Sequence, residues 1–132
     1  MTIKEAIYER HMVRQYNDKP IPEEIVELLN ARIAKNNNEH KLNLALVTGN
    51  ADGVSRMAKV LLSKTVNNYI ILAGAEGEGL DERLGFSGAD LILYAQTLGL
   101  NTWWIGGMFN AKGAKNHLKV DGTKIKGVIA VG

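Results

Sequence analysis

Two permanent cations, Arg10 and Arg14, flank His11 and Met12 in the stretch YERHMVRQY, which runs from Tyr8 to Tyr16. They fall where a first short apolar segment runs out and a proline-punctuated turn begins. In an extended segment side chains alternate, so Arg10, Met12, Arg14 and Tyr16 would share one face. Two guanidiniums on one face make a fork-like site for a phosphate or a carboxylate. The plainer alternative is a pair of solvated arginines matched by Glu5, Glu9 or Asp18.

A second stretch, LGLNTWWIGGMF from Leu98 to Phe109, has a different kind of chemistry. Gly106 and Gly107 follow an apolar run, and bare backbone there lets a flat ligand approach closely. A tight turn would explain the same two glycines. Trp103 and Trp104 fall on opposite faces of a strand, so at least one belongs to the core.

Other templates do not match. Gly74 to Gly79, GAEGEG, has the order G-x-x-G-x-G instead of the dinucleotide order, and Glu76 and Glu78 would repel a pyrophosphate. Gly85-Phe86-Ser87-Gly88 misses the second glycine of a nucleophile elbow. His11, His40 and His117 are too scattered for a metal site. The carboxylates show no informative pairing, and most are expected to be solvated.

The 132 residues suit one domain, taken as 1–132, and there are no cysteines, which removes disulfides and thiolate chemistry. A net charge of +2 does not point to nucleic acid. No apolar run approaches the roughly 18 residues of a membrane span, and no signal core opens the chain, so a cytoplasmic protein is expected.

The elements that would position these residues alternate irregularly. Thr2 to Glu5 matches a capping box, and Pro20 to Glu24 reads as a turn into a helix carried by Ile25, Leu28, Leu29 and Ile33. Strands are expected at Leu42–Thr48, Tyr69–Ala73, Thr102–Ile105 and Gly127–Gly132. Val54, Met57, Ala58 and Leu61 suggest a helix. A long helix from Asp81 or Ser87 to Leu98 would end at Gly99, and Asn110 would cap a short one. The expectation is a single mixed α and β domain without repeats.

Taken in order, two motifs resemble the FMN-dependent nitroreductase-like proteins. The first is the family's R-x-S-x-[RK]-x-[FY] segment and its D-x-P-[IV]-x-x-E turn, here Arg10 to Tyr16 and Asp18 to Glu24. The second is a helix ending A-x-x-L-G-L with a strand and glycine turn, here Ala95 to Leu100 and Asn101 to Gly107. The resemblance implies an α+β nitroreductase-like fold, with a central, mostly antiparallel sheet flanked by helices, in a homodimer with flavin at the interface. It implies that Arg10 and Arg14, with His11 and Met12 beside them, bind the phosphate and ribityl chain of FMN. Ile105, Gly106 and Gly107 would bring backbone to the isoalloxazine. Hydride would pass from NADH or NADPH through FMN to an electron-poor small molecule such as a nitroaromatic or a quinone. No side-chain acid or base and no metal is implied.

Three departures accompany the resemblance. Met12 stands where the family has serine. The polar flavin loop after the second helix is not recognisable, with Lys35 to Asn38 as its nearest equivalent. The family's C-terminal tail is expected to be lacking after Gly132. These departures keep open a non-catalytic flavin-binding protein, or a structural domain with a degraded site. Leu91 to Tyr94 and Leu98 offer apolar surface on more than one side of a helix, which fits burial against a second subunit or a helix central to its own domain.

Overall fold

The structure is a computed structural model and describes residues 1–55 and 65–132. Its first helix, α1 (Ile3–Glu9), is held by the expected capping box: Thr2 Oγ1 accepts from the Glu5 N–H at 3.1 Å, and Glu5 Oε1 accepts from the Thr2 N–H at 3.3 Å. Bonding to Thr2 holds the Glu5 carboxyl below its ordinary pKa. Helix α2 (Glu23–His40) starts behind Pro22 with Glu23 and Glu24 in its first turn, and ends on Lys41 at a left-handed φ of 54°. Leu29 and Ile33 carry its buried stripe. Leu28, expected to join them, is 45% exposed because it lies one helical step, about 100°, from Leu29.

Strand β1 (Ala45–Val47) is shorter than Leu42–Thr48. The reason lies in α2: the Asn37 side chain accepts from the Leu44 N–H at 2.8 Å and donates to its carbonyl at 3.0 Å. Leu44 is thereby bound to the helix end and not to a neighbouring strand. Lys35 to Asn38 are helical, so they do not form a ligand loop, and Asn36 is buried. Val54 forms an antiparallel bridge with Phe109 and is not helical. The other three residues of the expected helix there lie outside the described residues.

Strand β2 (Tyr69–Ala75) leads to helix α3 (Leu80–Thr97), which begins at Leu80 behind a left-handed Gly79, before either expected start. It ends as expected, with Gly99 at φ +83°. Strand β3 (Thr102–Ile105), helix α4 (Ala111–Lys115) capped by Asn110, and strand β4 (Thr123–Val131) complete the chain. Strand β4 begins four residues before Gly127. Gly127 lies inside it, paired with Leu72, where a Cβ would be only 3.0 Å from the Ile105 carbonyl oxygen.

The sheet has the order β1-β2-β4-β3, with every pair antiparallel. Alternation along the strands divides the core in two. Ile70, Leu72, Ile129 and Val131 face α2 and α3 and meet Leu29, Ile33, Leu84, Leu91 and Ala95. Tyr69, Ile71, Val128, Ala130, Trp103 and Ile105 form the second layer with Val54, Val66 and Ala114. Ile92, Tyr94 and Leu98 pack around the first layer, so α3 is central to its own domain. This is an α+β fold with β3 at one edge.

Candidate functional site

Beyond α1 the backbone is extended, Arg10 having φ −69° and ψ 144°. The chain then reaches β3 at its start. Met12 forms a parallel bridge with Thr102, and the Val13 N–H donates to the Thr102 carbonyl at 3.1 Å. Tyr16 ties down the far end of the segment. Its hydroxyl donates to the Val13 carbonyl, and its N–H donates to Thr65 Oγ1. Burial raises the Tyr16 phenol well above its ordinary pKa of 10.

Between these anchors the segment parts from β3 and leaves a wedge along the strand edge. Asn101 and Gly132 exchange two backbone bonds, at 2.8 and 3.1 Å. The register therefore turns the backbone of Trp103 and Ile105 toward β4, opposite Ala130 and Val128. Trp104 turns its own N–H and carbonyl outward, into the wedge. Sequence reasoning named Ile105 for its backbone and passed over Trp104; only the pairing register separates the two.

A cavity of about 280 Å³ fills the wedge, with Met12 and Arg14 on one side and Trp103 to Met108 on the other. It brings together five of the residues expected from the sequence: Met12, Arg14, Ile105, Gly106 and Gly107. Arg10 and His11 do not line it. Arg10 Nε is buried without a hydrogen-bond partner, and His11 is exposed with Nδ1 3.4 Å from the Glu9 carbonyl. Among the described residues neither Arg10 nor Arg14 forms an ion pair, so the pairing with Glu5, Glu9 or Asp18 is not made. A Cβ at Gly107 would meet nothing within 4 Å, which leaves the turn open to a ligand. The exit from the turn is fixed by the Ser55 N–H donating to Met108 and the Asn110 N–H donating to Gly53, at 3.1 and 2.7 Å.

Two larger cavities, each about 380 Å³, lie elsewhere. One is near Asp18 to Ile21 and Asn68, the other between α2, β1 and the segment 117–120. Neither joins an unpaired guanidinium to a glycine turn, so chemistry, not volume, selects the wedge. No group of side chains among the described residues could hold a metal ion. No described helix is long and apolar enough to cross a membrane.

One carboxylate is an exception to the expected solvation of most of them. Asp90 on α3 accepts two bonds from Arg32 on α2, at 2.8 and 2.6 Å, and one from Asn36 at 2.9 Å. The Arg32 guanidinium also lies 4.8 Å from the centre of the Tyr94 ring. Hydrogen bonding with Arg32 lowers the Asp90 pKa and, reciprocally, raises that of Arg32. With the partners 58 positions apart, no local pattern could have shown the pair.

The family model described as "Putative TM nitroreductase" matches residues 2–132. The chain belongs to this nitroreductase family. Among solved structures, this nitroreductase-family chain is similar to an "FMN-dependent Nitroreductase" from Clostridium difficile R20291, with 15% identity over 96% of this chain and 84% of that one and a TM-score of 0.75. It is also similar to a nitroreductase family protein from Clostridium novyi NT, with 16% identity over 100% and 84% of the two chains and a TM-score of 0.73. A "putative nitroreductase in complex with fmn" from Desulfovibrio desulfuricans matches with 19% identity over 98% and 84%, with a TM-score of 0.73. At these identities the likeness is one of fold. No curated protein matches the chain.

Proposed function

We propose that this nitroreductase-family chain is an FMN-dependent oxidoreductase that takes reducing equivalents from NADH or NADPH and passes them to an electron-poor acceptor, such as a nitroaromatic or a quinone. The observation that carries the reading is the wedge itself. An unpaired cation on Arg14 faces an outward-turned strand edge and a bare glycine turn across one cavity.

The residues fit the cofactor in kind. Arg14 presents a guanidinium free of competing carboxylates. Arg10 has an unpartnered Nε two residues before the Met12 bridge, and with Arg14 it would supply a second guanidinium to one phosphate, with His11 beside them. Met12 contributes backbone, because its side chain carries no donor. The outward backbone of Trp104 and the Ile105–Gly107 turn receive the flat ring system. Bound FMN would supply the hydride chemistry; the protein holds, orients and partly shields it. No side chain in the wedge serves as a proton donor or acceptor.

A homodimer with flavin at the interface is part of this proposal. The wedge, about 280 Å³, lies at the small end of ligand pockets, and a second subunit would enclose the ligand further. Ile7, Tyr8 and Met12 nearby are 56%, 78% and 53% exposed, an apolar area suited to such burial.

The test is the visible spectrum of the purified protein after loading with FMN and desalting, followed by NADH and then NADPH without air. Retained flavin that bleaches on adding nicotinamide is the expected result. Retained flavin that neither nicotinamide reduces identifies a non-catalytic flavin-binding protein. A protein that stays colourless refutes the proposal.

A further inference from the structure

The adjacent tryptophans have different environments. Trp103 is 7% exposed and packs in the second core layer opposite Ala130, whereas Trp104 is 40% exposed on the helical side of the sheet. The Trp104 indole is seated on α3 at Gly88. A Cβ built there would be 2.4 Å from Cζ3 and 2.6 Å from Cη2 of the ring. At its other edge, Nε1 and Cδ1 come within 3.7 and 3.8 Å of a Cβ built at Gly106. The indole thus spans from the helix to the glycine turn, and Trp104 and Gly106 are both among the residues that line the cavity with Met12 and Arg14. A tryptophan held at both edges of its ring and 40% exposed offers a rigid aromatic surface beside the cavity.

We infer that Trp104, seated by Gly88, is a positioning residue of the wedge: its indole is the wall against which a planar, electron-poor aromatic ring lies. The inference rests on the flavin reading above and adds to it the surface that orients the ring. An indole is electron-rich, and offset stacking with an electron-poor ring is the favoured geometry for such a pair. Two sources supply that chemistry, the isoalloxazine of the cofactor and the ring of the acceptor. Gly88 acts through Trp104: any side chain at that position displaces the indole from its seat.

The experiment compares wild type, W104A, W104F, G88A and the W104A/G88A double variant. FMN dissociation constants are read from flavin fluorescence, long-wavelength absorbance of the loaded protein is recorded, and KM and kcat are measured with a nitrobenzoate and a benzoquinone. For a cofactor ring, W104A weakens FMN about tenfold and W104F less. G88A also weakens FMN, but has no further effect once the indole is gone, a non-additivity that general destabilisation would not produce. For an acceptor ring, FMN affinity holds while W104A raises KM about tenfold with kcat unchanged. Should W104A fail to fold, W104F and G88A carry the same comparison. Variants whose FMN affinity, absorbance and KM all match those of a wild type that retains FMN would overturn the inference. A wild type that binds no FMN at all refutes the flavin reading, and the inference falls with it.

Discussion

Removing the Asp90 carboxylate tests whether the polar clasp between α2 and α3 contributes to stability. Asp90 accepts three hydrogen bonds, two from the Arg32 guanidinium and one from the Asn36 amide. Hydrogen bonds to charged groups contribute about 1.5–3 kcal/mol when well shielded. The Arg32 and Asp90 side chains are 27% and 23% exposed, however, so solvent screening reduces their coupling to roughly 1–2 kcal/mol. Asp90→Ala alone should cost more, about 2–3 kcal/mol, because Arg32 and the buried Asn36 both lose an acceptor. Asn36 keeps its bond to the Arg32 carbonyl at 3.1 Å, which limits the loss. The assay is urea unfolding of wild type, R32A, D90A and the double variant, followed by circular dichroism. The sign of the pH dependence follows from the same contact. The Asp90 pKa is depressed below its ordinary 3.8 in the fold, so its contribution is complete above that value and is lost as pH falls through the folded value. The coupling should therefore be present at pH 7 and fade below about pH 4. A coupling under about 0.5 kcal/mol at pH 7, or one undiminished at pH 2, would refute the reasoning.

Two glycines should respond in opposite directions to alanine. A Cβ at Gly113 would be 2.0 Å from the Asp52 carbonyl oxygen, so Gly113→Ala should separate α4 from the 49–55 loop and cost about 2 kcal/mol in a urea melt. Gly85 in α3 has open space around it, and Gly85→Ala should stabilise by about 0.5–1 kcal/mol in the same assay. Burial raises the phenols of Tyr16 and Tyr69, the latter to about 12. The fold therefore prefers both neutral, and stability should fall as pH rises above 10. An ultraviolet titration in which all tyrosine ionises at ordinary pKa in the folded protein would contradict the burial.

What the sequence made legible was mostly local in origin. The Thr2 capping box, the Gly99 terminus of α3 and the Asn110 cap each depend on residues within three or four positions of one another. The β3 strand carries its own β-forming run. The errors came from long-range competition. Leu42 to Leu44 look like a strand, but Asn37 takes both backbone groups of Leu44. Lys35 to Asn38 look like a polar loop, but two of their amides are used inside the domain, Asn36 on Asp90 and Asn37 on Leu44. The wedge shows both regimes. Residue types at Arg14 and Gly106-Gly107 pointed to a ligand, whereas the outward turn of Trp104 depends on pairing between Asn101 and Gly132, 31 residues apart in the chain.

Met12 gives a test of the flavin reading that leaves the fold in place. Its backbone is fixed by the bridge to Thr102 and by the neighbouring Val13 bond, neither of which involves the side chain. That side chain is 53% exposed, so replacing it creates no cavity in the core. Met12→Ser therefore changes what the wedge offers a ligand and little else, adding one hydroxyl donor beside Arg14. A neutral donor to a charged phosphate oxygen is expected to tighten FMN by roughly three- to tenfold, measured by calorimetry against wild type. Weaker binding in Met12→Ser would mean that the thioether, not the backbone, contacts the ligand, and the role given to Met12 would have to be abandoned. Equal binding would separate the phosphate from Met12 and move its site toward Arg10, whose buried Nε has no hydrogen-bond partner.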